Sequence, residues 1–308
     1  MRQRTHTMVA CLCEAGLEPH DLPAPQGHAK NSKNWDMIPR RAARFFISDP
    51  MCNRLLALLL TLVFSGCDAP PSSKTEPPGK LSIAVAASMR FAFEEISAAF
   101  TSSRPGITLE PIYGASGVFY AQITQKAPFD LFLSADTTYP DRLHEEGEAG
   151  VVFPYATGRL ALWAPKAAGL AVSQRGMETL KDPRVTRLSL ANPALAPYGV
   201  AAEATLAHYG MADAMLGKKV LAENVGQAAQ FVQSGAAQIG LFAYSLTFLP
   251  EMKDGDLWLV PATAHAPLVQ SGTILPGCRD PELASTFRDF LLGPDGRAIL
   301  ERHGFSAP

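Results

Sequence analysis

The chain has 308 residues, a formal net charge of -2 and an apolar fraction of 47%. This length and apolar content suffice for one large or two medium-sized domains with buried cores. The near-neutral charge excludes the strongly basic surface of a nucleic-acid-binding protein, and the five cysteines do not form the regularly spaced set of a disulfide framework.

A segment before the folded body is typical of an export signal. Residues 51–54 (MCNR) give a basic start, and residues 55–64 (LLALLLTLVF) give an apolar core that is too short to span a membrane. Small residues then precede Cys67. This pattern predicts a lipoprotein signal peptide over residues 51–67 with lipid attachment at Cys67. An ordinary secretory signal is the alternative.

The segments on either side of this signal lack the periodicity of folded elements. Residues 1–50 are polar and rich in proline, so we predict a non-native upstream extension or a disordered segment, with the true start at Met51 or Met37. Residues 68–79 are rich in proline and serine and predict an extended linker. The linker would tether a soluble body to the periplasmic face of the inner membrane.

Strands and helices alternate through the first half of the body. Alternating or continuous apolar runs predict the strands, and apolar residues at helical spacing predict the helices. The strands are predicted at 81–85, 107–113 and 129–136, and the helices begin near Met89, Val118 and Pro140. This order of elements predicts an α/β fold with a parallel sheet that has helices on both faces.

Two serines lie where a predicted strand gives way to a helix, Ser88 and Ser116. The first N–H groups of a helix have no partner inside the helix, and their partial positive charge suits an anion. In sheets of this kind ligands bind beyond the carboxyl ends of the strands, so both serines lie on the binding edge. We call each such junction, where a strand ends and a helix begins, a corner. The two corners at Ser88 and Ser116 predict an oxyanion site, and the alternative is that both serines are ordinary helix caps.

The second half of the chain repeats this pattern. Strands are predicted at 158–165, 188–193 and 237–244. Further helix openings lie near Tyr198 and Val225, and Asn224 with Gln227 fits a capping box. The last long periodic segment, Pro281 to Leu300, predicts one amphipathic helix that packs back on the first domain.

Several motifs in a fixed order resemble the molybdate-binding receptors of bacterial ABC importers. They are AVAASM (84–89), YGASG (113–117), AQI (121–123), PFDLFLSAD (128–136), NPALAPYGVAAEATL (192–206), ENVGQAA (223–229), QIGLFA (238–243) and FRDFLLGPDGRAILERHGF (287–305). The resemblance implies a two-lobed type II periplasmic-binding-protein fold, with a mostly parallel sheet flanked by helices in each lobe and a hinge between them. We expect lobe 1 at 80–158 and 266–308 and lobe 2 at 159–265.

The resemblance also implies a set of anion contacts in the cleft between the lobes. Ser88 and Ser116 would give hydroxyl and backbone N–H donors from lobe 1, and Tyr198 and Val225 would give backbone N–H donors from lobe 2. Some members of the family add a tyrosine hydroxyl at the position of Ala243. Tyr244 is one residue later, on the opposite face if this segment is a strand. Which residue replaces that contact stays open.

These contacts suit a small oxyanion without protons. Burial of a bare dianion is costly, and Arg90 is the one basic residue within the four matched corners, so neutral donors must compensate. A site made of donors alone disfavours an anion that carries a proton, because that O–H would lack an acceptor. Molybdate and tungstate are the expected ligands, sulfate remains open, and no cofactor or protein-bound cation is expected.

The expected function is therefore the extracytoplasmic binding component of an ABC importer. It would be a periplasmic monomer, not an enzyme, that closes on molybdate and docks on the membrane subunit of a permease. The alternatives are a receptor for sulfate or another small anion, a sensory or adhesive lipoprotein without a transporter, and a serine hydrolase. The sequence around Ser116 lacks the final glycine that a G-x-S-x-G nucleophile elbow needs.

Overall fold

The computed structural model describes residues 79–308. The predictions for the upstream extension, the signal peptide, Cys67 and residues 68–78 of the linker lie outside these residues. In the part of the chain that the structure describes, no helix has the length and apolar character that a membrane span requires.

The body contains ten strands and eight α-helices within residues 79–308. The strands are β1 (Lys80–Ala86), β2 (Thr108–Gly114), β3 (Leu131–Leu133), β4 (Phe153–Gly158), β5 (Leu160–Pro165), β6 (Leu188–Ala191), β7 (Lys219–Ala222), β8 (Ile239–Ala243), β9 (Gly255–Leu259) and β10 (Leu268–Ile274). The helices are α1 (Arg90–Ser102), α2 (Ser116–Thr124), α3 (Thr138–Glu145), α4 (Val172–Arg175), α5 (Pro197–His208), α6 (Val225–Gln233), α7 (Pro281–Leu292) and α8 (Pro294–Arg302).

The strands form two five-stranded sheets with equivalent topology. The first has the order β2-β1-β3-β10-β4, and β10 is antiparallel to both of its neighbours. The second has the order β7-β6-β8-β5-β9, and β5 is antiparallel to both of its neighbours. Four strands of each sheet therefore run in one direction, which confirms the predicted two-lobed α/β fold with mostly parallel sheets.

Two short segments connect the sheets. The chain leaves the first sheet at Gly158, the last residue of β4, and enters the second at Leu160. It returns between Leu259, at the end of β9, and Leu268, at the start of β10. Because β10 lies between β3 and β4, the returning chain becomes part of the first sheet.

The core of the first lobe confirms the helical periodicity predicted for α1. Phe93, Ile96 and Phe100 are fully buried on one face of this helix. The Phe287 ring of α7 lies 5.8 Å from the Phe93 ring and 5.2 Å from the Phe100 ring, measured between centroids. Burial of each aromatic side chain contributes about 1.5–3 kcal/mol, so this contact fixes the closing helices on the lobe.

The prediction of one continuous helix over the tail is wrong, because α7 ends and α8 begins at Gly293-Pro294. Gly293 has ψ 176°, an extended conformation that interrupts the helix. Proline disfavours the helical conformation of the residue before it and has no N–H for an intrahelical bond. Pro294 accordingly occupies the first turn of α8, where an N–H is not needed.

Candidate functional site

Four chain corners meet at a small cavity between the two lobes. Ser88 and Ser116 line it from the first lobe, and Tyr198 and Val225 line it from the second. None of the lining residues within 79–308 carries a charged side chain. The structure thus brings together four of the five residues predicted to bind the anion.

The Ser88 corner differs in detail from the predicted direct change from strand to helix. Strand β1 ends at Ala86, one 3-10 turn covers Ala87–Met89, and α1 follows. The Ser88 side chain makes no capping hydrogen bond to this turn or to α1, and it is buried at the cavity wall. Ser88 is therefore placed by the turn, and the alternative of an ordinary cap is wrong here.

The Ser116 corner has the predicted form, because β2 ends at Gly114 and α2 begins at Ser116 itself. The N-cap position belongs to Ala115, so the serine hydroxyl is free from capping this helix. Its Oγ accepts a hydrogen bond from the Ala135 backbone N–H at 3.0 Å, which leaves the hydroxyl proton available to a ligand.

The second lobe contributes the first turns of two helices. Tyr198 follows Pro197 at the start of α5, and Val225 is the first residue of α6. Backbone N–H groups at these positions have no acceptor within the helix. Together with the partial positive charge of a helix amino end, they favour a bound anion at the cavity.

The capping box predicted before α6 is confirmed with a small change. The Asn224 side chain accepts from the Gln227 backbone N–H at 3.0 Å. The Gln227 side chain reaches back and accepts from the Glu223 N–H at 2.7 Å, one residue earlier than the usual box. This reciprocal pair fixes the direction in which α6 enters the cavity wall.

The structure does not bring Ala243 to the other four residues. Ala243 is fully buried in β8, pairs with Leu160 of β5, and does not line the cavity. Tyr244 is also elsewhere: its N–H donates to the Arg159 carbonyl at 2.8 Å, and its ring centroid lies 5.0 Å from that of Phe248. Neither residue supplies a hydroxyl contact.

Arg90 is likewise outside the cavity. Its guanidinium lies 3.4 Å from Glu94, one helical turn later, and within 6 Å of the Phe91 and Tyr113 rings. Arg90, Phe91 and Tyr113 line a larger neighbouring groove, in which the Arg90 side chain is half-exposed. The cavity therefore relies on neutral donors, as the sequence predicts.

A buried side chain that the sequence did not single out lies behind the cavity. The Gln270 side chain of β10 is fully buried, and its Nε2 lies 3.1 Å from the Tyr198 hydroxyl and 3.5 Å from Ser88 Oγ. Its Oε1 lies 3.0 Å from the Tyr155 hydroxyl. Burial raises the pKa of both tyrosines, so both phenols stay protonated. A glutamine within the strand-like segment LVQSGTI, in which it is the largest polar side chain, was the available signal.

Two further hydrogen bonds join the lobes beside the cavity. The Gly117 N–H of α2 donates to the Leu195 carbonyl at 2.9 Å. The Ser245 hydroxyl, just beyond β8, donates to the Ser88 carbonyl at 2.7 Å. The lobes are thus in contact on both sides of the site, in a closed arrangement.

The carboxylates of the PFDLFLSAD motif have structural partners. Asp130 accepts from the Ser82 N–H at 2.7 Å and pairs with the Arg279 guanidinium at 2.5 Å. Burial alone would raise its pKa, but the hydrogen bonds from Arg279 and Ser82 outweigh burial and hold the pKa below its ordinary value. Among residues 79–308 no cluster of His, Cys, Asp or Glu has the form of a metal site.

Comparison with known proteins identifies the family. The family described as bacterial extracellular solute-binding protein matches residues 81–306. The molybdate-binding protein ModA of Azotobacter vinelandii is 36% identical over 233 residues, which are 73% of this chain and 89% of that protein. The Rhodobacter capsulatus ModA is 35% identical, over 74% of this chain and 88% of that protein.

Solved structures show the same fold. The periplasmic molybdate-binding protein of Azotobacter vinelandii superposes with a TM-score of 0.69 and 32% identity, covering 74% of this chain and 99% of that one. The sulfate-binding protein SubI of Mycobacterium tuberculosis, at 13% identity and a TM-score of 0.61, shares the fold alone. The chain belongs to the family of bacterial extracellular solute-binding proteins.

Proposed function

We propose that this protein captures molybdate or tungstate in the cavity between its lobes and delivers the anion to the permease of an ABC importer. The observation that carries the proposal is the meeting of Ser88, Ser116, Tyr198 and Val225 at one small cavity without a charged side chain. The similarity to proteins named as molybdate-binding supports the choice of anion.

The donors available are sufficient for tight binding. Four backbone N–H groups and two serine hydroxyls would give six hydrogen bonds to a dianion. Each such bond to a charged group contributes roughly 1.5–3 kcal/mol, so six would contribute about 9–18 kcal/mol if they were additive. Nanomolar affinity requires about 12 kcal/mol.

The role proposed is binding rather than catalysis. The Ser116 hydroxyl is held by the Ala135 N–H, and among residues 79–308 no histidine lines the cavity and could activate it. No cofactor is proposed, and molybdenum would enter as the oxyanion. Supporting this, the donors are amide and hydroxyl groups, which fit oxygen atoms of the ligand rather than a bare cation.

The proposed setting is the periplasm or the periplasmic face of the inner membrane. A lipid on Cys67 would hold the protein there, as the residues around that cysteine suggest. The protein would act as a monomer that meets its permease in the closed form. Mass spectrometry of the protein from its own membranes tests the anchor: a diacylated Cys67 is expected, and an unmodified exported chain would contradict it.

Thermal unfolding of the full chain with single oxyanions tests the ligand. At a free concentration 1,000 times its dissociation constant, a ligand stabilises the folded state by about 4 kcal/mol, which raises the melting temperature by roughly 8–16 °C for a body of this size. Molybdate and tungstate should do so and phosphate should not. A shift with sulfate alone would assign the site to sulfate, and no shift with any oxyanion would refute the proposal.

A further inference from the structure

Three buried polar side chains form a chain of hydrogen bonds behind the cavity. The Tyr155 hydroxyl of β4 donates its one proton toward two acceptors, the Ser134 carbonyl at 2.8 Å and Gln270 Oε1 of β10 at 3.0 Å. The other end of the Gln270 amide contacts the Tyr198 hydroxyl at 3.1 Å. Tyr155 and Gln270 belong to the first lobe and Tyr198 to the second, so this chain crosses from lobe to lobe.

A bulge in β4 lies opposite Gln270. The consecutive residues Gln270 and Ser271 of β10 pair with Ala156 and Pro154 of β4, so Tyr155 is the extra residue of the bulge. A bulge bends its strand and redirects a side chain locally. The irregularity thus accompanies the Tyr155 hydroxyl that contacts Gln270.

Gly158 makes room for the contact between the lobes. It is the last residue of β4, directly before the chain crosses to the second lobe. A Cβ atom added here would lie 2.0 Å from the Tyr198 hydroxyl oxygen and 2.8 Å from Gln270 Nε2. Gly158 is not among the glycines with positive φ, so its backbone admits alanine. A side chain is excluded by the Tyr198 hydroxyl of the opposite lobe and, less severely, by Gln270 Nε2 of the same lobe.

We propose that Gln270 is a positioning residue that latches the closed cleft through the Tyr198 hydroxyl and so slows the release of the bound anion. The inference deepens the proposed function of the same cavity and rests on it. The bond exists when the lobes are together and is lost when they part, so it stabilises the closed form alone. It also anchors the residue whose backbone N–H faces the anion at the start of α5.

The latch predicts a change in the dissociation rate with little change in the association rate. Loss of one partner removes a buried hydrogen bond from the other, and a cost of about 1–3 kcal/mol for that loss corresponds to a factor of roughly 5–150 in the opening equilibrium. The variants Tyr198→Phe and Gln270→Leu should therefore release molybdate about 5- to 150-fold faster. Their association rates should stay within about twofold of wild type, because the anion enters the open form.

The double variant separates a shared bond from two independent losses. Tyr198→Phe combined with Gln270→Leu should release molybdate no faster than the faster single variant, because the bond is already absent. If the two fold-increases in the dissociation rate multiplied in the double variant, the latch would be overturned. Single variants with the wild-type dissociation rate would overturn it as well. Thr205→Val is the matched control: Thr205 is buried on the same helix as Tyr198, and its hydroxyl bonds the Ala201 carbonyl at 2.8 Å. It should leave both rates unchanged.

Gly158→Ala tests the same contact from the opposite side. The added methyl group should hold Tyr198 away from its closed position and speed release of molybdate. Tyr198→Phe removes the oxygen that the methyl group meets, and the nearest remaining ring carbon lies 3.0 Å away. The pair Gly158→Ala and Tyr198→Phe should therefore release molybdate more slowly than the product of the single effects predicts. If the two substitutions instead changed the dissociation rate independently, the proposed contact between residue 158 and the Tyr198 hydroxyl would be contradicted.

A measurement without ligand distinguishes failure of the latch from failure of the proposed function. The Gly117 amide donates across the cleft to Leu195, so its hydrogen exchange reports closure whether or not an anion is bound. Exchange in the ligand-free Tyr198→Phe and Gln270→Leu variants should be faster than in wild type and in Thr205→Val. Equal exchange in all four proteins would overturn the latch, while a wild type that binds none of the oxyanions would overturn the proposed function instead.

Discussion

Removal of both serine hydroxyls gives the most informative perturbation of the site. In Ser88→Ala with Ser116→Ala, two donors to the anion are lost while the backbone N–H groups remain. At roughly 1.5–3 kcal/mol for each hydrogen bond to a charged group, the loss is about 3–6 kcal/mol. Affinity for molybdate should fall by about 10² to 10⁴-fold.

The same change has a predictable effect on folding. Ser116 Oγ accepts from the Ala135 N–H, so its loss leaves a buried donor without a partner and costs about 1–3 kcal/mol of stability. The variant should therefore fold with a lower melting temperature and an unchanged circular dichroism spectrum. Tight binding should be absent although the protein is intact.

Titration calorimetry on the full chain measures this prediction. Ser189→Ala is a matched control, because Ser189 is equally buried but its hydroxyl bonds the Ala228 carbonyl at 2.8 Å, away from the cavity. It should bind molybdate as wild type does. An unchanged affinity in the double serine variant would refute the assignment of the first-lobe donors.

Three further changes test the capping of α6, the Asp130 ion pair and the core. Asn224→Ala removes the cap that accepts from the Gln227 N–H. The free energy of unfolding in urea should fall by about 1 kcal/mol, and molybdate should bind more weakly because Asn224 also lines the cavity. Wild-type stability and binding in this variant would contradict the role of Asn224. Hydrogen bonds that outweigh burial hold the folded-state pKa of Asp130 below its ordinary value. Its carboxylate therefore stabilises the fold above the ordinary pKa, and the contribution is lost as pH falls through the folded-state pKa. Asp130→Asn should cost about 1–3 kcal/mol at pH 7 and flatten the acid decline of stability, and an equally steep decline would exclude the Arg279 pair as its source. Phe287→Ala should cost about 3–5 kcal/mol in the same unfolding experiment, and a loss below 1 kcal/mol would mean that α7 does not close this core.

Local sequence signals were sufficient to find the corners of the site. Ser88 and Ser116 follow apolar strands and precede helical periodicity, and both features lie within about ten residues of each serine. The helix openings at Tyr198 and Val225 were likewise visible, each at the start of a periodic segment. Because the carboxyl ends of parallel strands share one edge, the order of elements was enough to predict that Ser88 and Ser116 lie near each other. That Tyr198 and Val225 of the other lobe join them came from the family resemblance.

The contacts behind the cavity depend on pairs that are distant in the sequence. Gln270 meets Tyr198 over 72 residues and Tyr155 over 115 residues. Strand β10 forms its contacts after the chain has passed through the whole second lobe, so no local pattern indicates its partners. Short strands such as β7 (Lys219–Ala222) were missed because four residues carry little periodic signal.

Two discrepancies have simple physical causes. The tail was predicted as one helix because its apolar periodicity continues through Gly293-Pro294, although this dipeptide is a recognised helix break. Ala243 was placed in the site by the resemblance, but an alanine in a central strand has no polar side chain to offer. The side-chain amide that lies near Ser88 Oγ, at 3.5 Å, belongs to Gln270.

A crystal structure of the full chain with bound molybdate tests the central claim most directly. We expect the anion in the cavity that these residues line, with its oxygens accepting from the N–H groups of Ser88, Ser116, Tyr198 and Val225 and from the two serine hydroxyls. No arginine or lysine should contact it. An anion held mainly by basic side chains, or bound away from these four corners, would contradict the account.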